Sequence, residues 1–293
     1  MSDTPPLLVE PRWLSQHPEV RIADLRSIVA RRPPSGASRP ATQTEPAPPS
    51  PPARQKYDEG HIPSAVFVDL DRDLAQPGGP GRHPFPTEEA FARLLGQLGI
   101  GPRTHVVVYD DASGSIAARL WFMLRVHGHE RASLLDGGLK AWVEAGLPLS
   151  KEEPRVAPVP PPALKLDRSR VLDRSQVEKR GKAALLDARA PERYRGEIEP
   201  IDERAGHIPG ALNAPFAANL TAAQRFRPPA ELRKLYEVYG SDVIVSCGSG
   251  VTACHDAFAI ELAGLPPARL YVGSWSDWSS DPSRPIATGA APG

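Results

Sequence analysis

The chain has 293 residues, enough for roughly two domains at about 100–200 residues each. Lysine plus arginine and aspartate plus glutamate both number 35, so the formal net charge is zero and the basic surplus on which nucleic-acid binding draws is absent. No apolar run reaches the ~18 residues of a membrane span, the first residues lack the basic and apolar regions of a signal peptide, and two cysteines cannot build a disulfide framework; a cytoplasmic protein with no membrane partner is expected.

In chain order, short β-rich apolar runs alternate with segments of helical spacing. Strands are expected at 21–25, 66–69, 105–109 and 133–135, and again at 184–187, 211–213, 242–246 and 269–272. Helices are expected at 88–98, 117–125, 229–239 and 252–263, the last stopped by Gly264 with Pro266 and Pro267 beyond it. Such alternation predicts an α/β fold with mainly parallel sheets flanked by helices, and ligands bind such sheets beyond the carboxyl ends of the strands.

The pattern occurs twice. Gly60-His61-Ile62-Pro63 returns as Gly206-His207-Ile208-Pro209, Asp24-Leu25-Arg26 as Asp187-Ala188-Arg189, and Gly137 with Trp142 as Gly273 with Trp278. The spacing between copies falls in steps from about 163 to about 136 residues, so the first copy carries insertions. One is the proline-rich stretch 33–54, whose composition cannot offset its ordering entropy and predicts a disordered loop. The other is the Gly/Pro-rich loop 71–86, which holds Asp71 and His83. A second proline cluster at 151–163 separates the copies. The expected division is a first domain at 1–150, a linker at 151–170 and a second domain at 171–293.

The most informative residue is Cys247. The strand at 242–246 runs straight into Cys247-Gly248-Ser249-Gly250-Val251-Thr252, and a helix follows. Two glycines let this loop curl so that backbone N–H groups point inward, and the positive helix end adds to them, which favours an anion at the centre of the loop. The same cradle could hold an oxyanion of a substrate. A cysteine is often only a small buried hydrophobe, but glycines on both sides and the strand–helix junction argue for a nucleophile. Cys254 falls inside the helix and reads as core. The first copy has Asp110 where the second has Cys247, so it has no thiol and should be chemically silent.

On these residues the sequence resembles the tandem-domain rhodanese-type sulfurtransferases. The paired Gly-His-Ile-Pro and Asp-x-Arg motifs, Arg193-Tyr194-Arg195-Gly196, the Cys247 loop and Gly273-Ser274-Trp275-Ser276-Asp277-Trp278 carry the resemblance. It implies two tandem rhodanese-like domains, the first inactive and the second catalytic, with no metal or organic cofactor. The loop is further similar to that of 3-mercaptopyruvate sulfurtransferases, whereas thiosulfate-preferring members have basic residues where this chain has Gly248 and Ser249. The resemblance implies a loop serine, Ser249, linked to Asp71 and His83, and a substrate-clamp arginine at Arg193. The second clamp arginine should fall near Ile201 and is not there; Arg204 or Arg195 could substitute.

The implied function is transfer of a sulfane sulfur from 3-mercaptopyruvate or thiosulfate, through a Cys247 persulfide, to cyanide or a thiol acceptor. The partners are then a small anionic sulfur donor and a small thiol or thioredoxin-like protein. Catalytic candidates are Cys247, Ser249, Asp71 and His83; substrate-binding candidates are Arg193, Arg204, Gly248, Gly250, Val251, Thr252 and Trp275. His61, His207, Asp187 and Arg189 recur in, or match, the silent copy and read as structural. Main activity on thiosulfate and a non-catalytic persulfide carrier are the alternatives. A cysteine phosphatase is disfavoured because the arginine required six residues after the nucleophile is Ala253.

Overall fold

The computed structural model describes residues 5–27 and 53–293. The insertion expected at 33–54 lies outside the described residues, except that Ala53 and Arg54 open a helix, Ala53–Glu59.

Two five-stranded sheets form. The first contains β1 (Leu8–Val9), β2 (Arg21–Asp24), β3 (Val66–Phe67), β4 (Val106–Tyr109) and β5 (Ala132–Leu135), in the order β1-β5-β4-β2-β3. The second contains β6 (Val171–Leu172), β7 (Ala184–Asp187), β8 (Ala211–Asn213), β9 (Val243–Ser246) and β10 (Arg269–Tyr271), in the order β6-β10-β9-β7-β8. Every pair is parallel, and the two orders are the same. The Val/Ile-rich β4 and β9 are the central strands of their sheets, and every residue of both is buried, as expected for strands covered on both faces.

The eight strands read from sequence form within a residue or two of the expected places. The edge strands β1 and β6 did not announce themselves, because two residues carry no periodicity. The long helices also form: Glu88–Gln97, Ala117–Val126, Pro229–Tyr236 with a 3₁₀ turn at Glu237–Tyr239, and Ala253–Leu262. Thr87 caps the first of these by accepting from the Ala90 amide.

The two halves share one core. Helices 117–126 and 253–262 face each other, with the Trp121 and Phe258 rings edge to face at 4.9 Å. Between the sheets the chain stays bonded to the first half, through Val159 N to Gly96 O (2.9 Å) and Asp167 N to Val126 O (2.7 Å), before Arg170 accepts from Leu270 at the start of β6.

The duplicated motifs do the same structural work twice. Arg26 forks onto Asp24 and donates to Gly60 O at 2.8 Å; Arg189 forks onto Asp187 and donates to Gly206 O at 2.7 Å. His61 stacks on Tyr57 and bonds its carbonyl, and His207 treats Tyr194 in the same way, with ring centroids 3.8 Å apart in both. Tyr57 and Tyr194 in turn donate to the carbonyls of Ala65 and Ala211. These groups lock the β2–β3 and β7–β8 crossings.

Candidate active site

Cys247 follows the last residue of β9, beside Asp187 of β7, which pairs with Ser246. Its amide donates to Ser274 Oγ at 3.1 Å, and its carbonyl accepts from Trp275 N at 3.0 Å. The strand end is thus fixed against the short helix Ser274–Trp278. Gly250 then turns the chain with φ +71°; a Cβ there would meet Val272 O at 2.4 Å, so only glycine fits. Among the described residues no protein acceptor takes the amides of Gly248, Ser249, Gly250, Val251 or Thr252. Helix 253–262 begins directly behind them with no side-chain cap at Thr252. The result is a turn of free N–H donors at a helix N-terminus.

The first half shows such a turn filled. Asp110, at the matching strand end, is fully buried and its carboxylate accepts from the amides of Ala112, Gly114, Ile116 and Ala117, each at 2.8 Å. Burial pushes this carboxyl up while the four amides pull it down. A built-in anion therefore occupies the first turn, and a thiol stands at the head of the second.

The loop expected from sequence to lie beside Cys247 folds over it. Gly81, at φ +76°, lets the chain pass so near Gly273 that a Cβ would lie 2.6 Å from its carbonyl oxygen. Next to it the Arg82 amide donates to Ser276 Oγ at 3.1 Å. His83 then reaches Ser249 Oγ through Nδ1 at 2.7 Å and Asp71 Oδ1 through Nε2 at 2.9 Å. Asp71 comes from a short helix, Leu70–Asp73, whose cap is Asp69. A carboxylate only accepts, so His83 Nε2 carries the proton and Nδ1 accepts from the Ser249 hydroxyl. Burial pushes His83 below the ordinary histidine range, aided by Arg119 and Arg82 and opposed by Asp71.

Cys247 stands at the strand end before the helix, as expected, and under this covering only 2% of it is exposed. The guanidinium groups of Arg82 and Arg193 sit over the adjacent Gly248, where a Cβ would meet them at 2.9 and 3.6 Å. Arg193, from helix Pro191–Tyr194, forks onto Glu199 (2.7 and 3.3 Å). Arg82 pairs with Asp202.

The remaining candidates separate. Arg204 donates to the carbonyls of Asp281 and Arg284, which turns its guanidinium to the 281–284 segment, and Arg195 pairs with Glu197 at the surface. Trp275 is buried, its ring under the Arg189 guanidinium and its indole N–H on Arg204 O. Val251 belongs to the core. Cys254 is free, as is Cys247; it donates to Gly250 O at 3.3 Å and burial pushes its thiol up to about 12.

Two arginines escaped the sequence reading. Arg82 stands one residue before His83 and pairs with Asp202, the residue after the missing clamp position at Ile201; nothing local in the sequence singles it out. Arg119 is one of two arginines in the otherwise apolar helix 117–126 and, unlike Arg125 at its end, is fully buried. It donates to Gly250 O (3.0 Å) in the second half and to His83 O (2.6 Å) and Leu74 O (3.2 Å) in the first, with Phe85 stacked at 4.2 Å. It has no carboxylate partner among the described residues; burial pulls it down to about 10, and the two cysteines pull the other way. Replacing Arg119 by methionine keeps the stem but strips three carbonyls of their donor. Unfolding free energy should fall by about 2–4 kcal/mol. Turnover should fall about tenfold through a displaced His83 and Gly250. Urea unfolding and steady-state rates check both.

The rhodanese-like domain family matches residues 15–145 and, a second time, residues 173–281. A probable 3-mercaptopyruvate sulfurtransferase of Pseudomonas aeruginosa is 46% identical over 247 residues, covering 80% of this chain and 86% of that protein. A putative thiosulfate sulfurtransferase of Mycobacterium tuberculosis is 40% identical over 246 residues, with coverage of 80% and 86%. The crystal structure of SseA from Escherichia coli, presented with the mechanism of 3-mercaptopyruvate sulfotransferases, superimposes with a TM-score of 0.72 at 33% identity, covering 93% of this chain and all of that one. No helix among the described residues is long and apolar enough to cross a membrane. With two matched domains and relatives of this kind along most of its length, the chain belongs to the rhodanese-like family, as a sulfurtransferase of two such domains in tandem.

Proposed function

We propose that this protein takes sulfur from 3-mercaptopyruvate, holds it as a persulfide on Cys247 and passes it to a thiol. The observation that carries the reading is the hydrogen-bonded row Asp71–His83–Ser249, assembled from both halves beside Cys247. Such a row moves a proton, and of the two donors only mercaptopyruvate has one to move.

The Cys247 thiolate attacks the donor sulfur, and a new S–S bond forms from its lone pair. The C–S bond breaks and its electrons leave as pyruvate enolate. The thiol proton passes through Ser249 and His83 and ends on the enolate carbon, giving pyruvate and an anionic persulfide. The free amides of 248–252 hold that anion, as the amides of the first half hold Asp110. Arg193 and Arg82 grip the donor carboxylate. An incoming thiolate then takes the outer sulfur, and Cys247 returns as thiolate. With its turn already filled by Asp110, the first domain acts by supplying Asp71, Arg82, His83 and Arg119 to the second.

Steady-state kinetics with both donors test the choice. Mercaptopyruvate should give the higher kcat/KM. A thiosulfate kcat/KM ten times the larger would overturn the donor assignment while leaving the persulfide chemistry in place.

A further inference from the structure

The two arginines over Gly248 belong to one alternating chain of charged groups: Arg82, Asp202, Arg193, Glu199, Arg189, Asp187. Arg82 pairs with Asp202; Asp202 lies 3.7 Å from Arg193; Arg193 and Arg189 lie 2.7 and 3.4 Å from Glu199; Arg189 lies 2.6 Å from Asp187. Three cations face three anions, so the chain is neutral. Glu199 and Asp187 are spent inside it: Glu199 also accepts the amides of Ile201 and Asp202, and Asp187 that of Arg189. Asp202 differs. Its Oδ2 is buried without a hydrogen-bond partner, and its other oxygen holds the one member of the chain that comes from the first domain.

We propose that Asp202 sets the charge of the donor the site accepts, by cancelling one of the two cations over Gly248 so that the mouth selects a monoanion over a dianion. This deepens the reading given above and rests on it. The cost of stripping water from an ion grows with the square of its charge, so a dianion is stripped at about four times the cost of a monoanion of the same size. A neutral chain offers no net potential to offset that difference. A mercaptopyruvate carboxylate still gains the planar fork of a guanidinium, which depends on geometry more than on net charge. Thiosulfate, with two charges and no planar carboxylate, gains least. Removing the Asp202 charge leaves the chain at net +1, and a potential acts on a dianion twice as strongly as on a monoanion.

The experiment compares kcat/KM for mercaptopyruvate and thiosulfate in the full chain, in Asp202→Asn, and in the double variant Arg82→Gln/Asp202→Asn, each at low and high salt. Asp202→Asn is expected to raise the thiosulfate-to-mercaptopyruvate ratio at least tenfold and to make the thiosulfate rate fall steeply with salt. The double variant, neutral again, should lose the steep salt dependence of its thiosulfate rate. A ratio unchanged in Asp202→Asn, with both rates falling together, would overturn the proposal and leave Asp202 as a prop for Arg82. The unsubstituted protein gives an independent arm: a steep salt dependence of its own thiosulfate rate contradicts a neutral mouth even if Asp202→Asn does not fold. Absence of transfer from either donor in the unsubstituted protein, with no added sulfur on Cys247 by mass spectrometry, would instead reject the sulfurtransferase reading beneath the proposal.

Discussion

Cys247→Ser is expected to lower sulfur transfer from either donor by at least about 10⁴-fold while leaving the fold in place. The exchange replaces one atom at a position where the backbone, held by Ser274 Oγ and Trp275 N, does not depend on the side chain. Stability should change by about 1 kcal/mol or less, because the substitution is nearly isosteric and the unbonded loop amides beside it can donate to the new hydroxyl. A hydroxyl stays protonated at neutral pH and forms no persulfide, so the first half-reaction stops. Mass spectrometry after incubation with mercaptopyruvate should show one added sulfur on the unsubstituted chain and none on the variant. Release of that sulfur to a dithiol within the turnover time separates an enzyme from a carrier. Turnover retained by Cys247→Ser would move the chemistry elsewhere, and buried Cys254, with its thiol pushed up to about 12, is poorly suited to take it.

His83→Gln should divide the two donors. On mercaptopyruvate the proton leaving sulfur must reach the enolate carbon, and His83 takes it only when neutral. Its ionisation is displaced downward by burial, so the relay is intact at neutral pH and above and fails as the pH drops through a value below the ordinary ~6.5. The expected result is a loss of about 10²-fold in kcat on mercaptopyruvate and disappearance of the acidic limb of its pH profile. Thiosulfate carries no such proton, and its kcat should fall by about threefold at most. Ser249→Ala should behave in the same way, since its hydroxyl is the link to His83 at 2.7 Å. Equal losses on both donors would show that His83 only supports the loop.

Most of the architecture was legible because it depends on local pattern. Buried parallel strands such as 243–246 are short Val/Ile runs, and helix 253–262 carries its own stop at Gly264, so neither needs a distant partner to be recognised. The duplicated Asp-x-Arg and Gly-His-Ile-Pro motifs were readable as structural for a related reason: whatever recurs in a copy without the cysteine serves the fold. Cys247 was legible from the glycines around it. Helices of four or five residues, such as 70–73 and 191–194, were not, because one turn has too few positions to show a period and forms only against a finished surface.

The sequence by itself determined the two parallel α/β halves, the absence of a thiol from the first loop and the candidate nucleophile Cys247, since each is set by residues adjacent in the chain. Only the tertiary structure decided what surrounds that nucleophile. Arg82, His83 and Arg119 lie more than a hundred residues before Cys247, and each reaches the loop that follows it by a different route: a chain turned by Gly81 that sets Arg82 over Gly248, a bond to Ser249, a buried guanidinium on Gly250 O. Charge balance across such a seam is a property of distances, and residue spacing along a chain does not encode it. The covering of Cys247 and the pairing of Arg82 with Asp202 therefore emerge only when the first domain closes on the second.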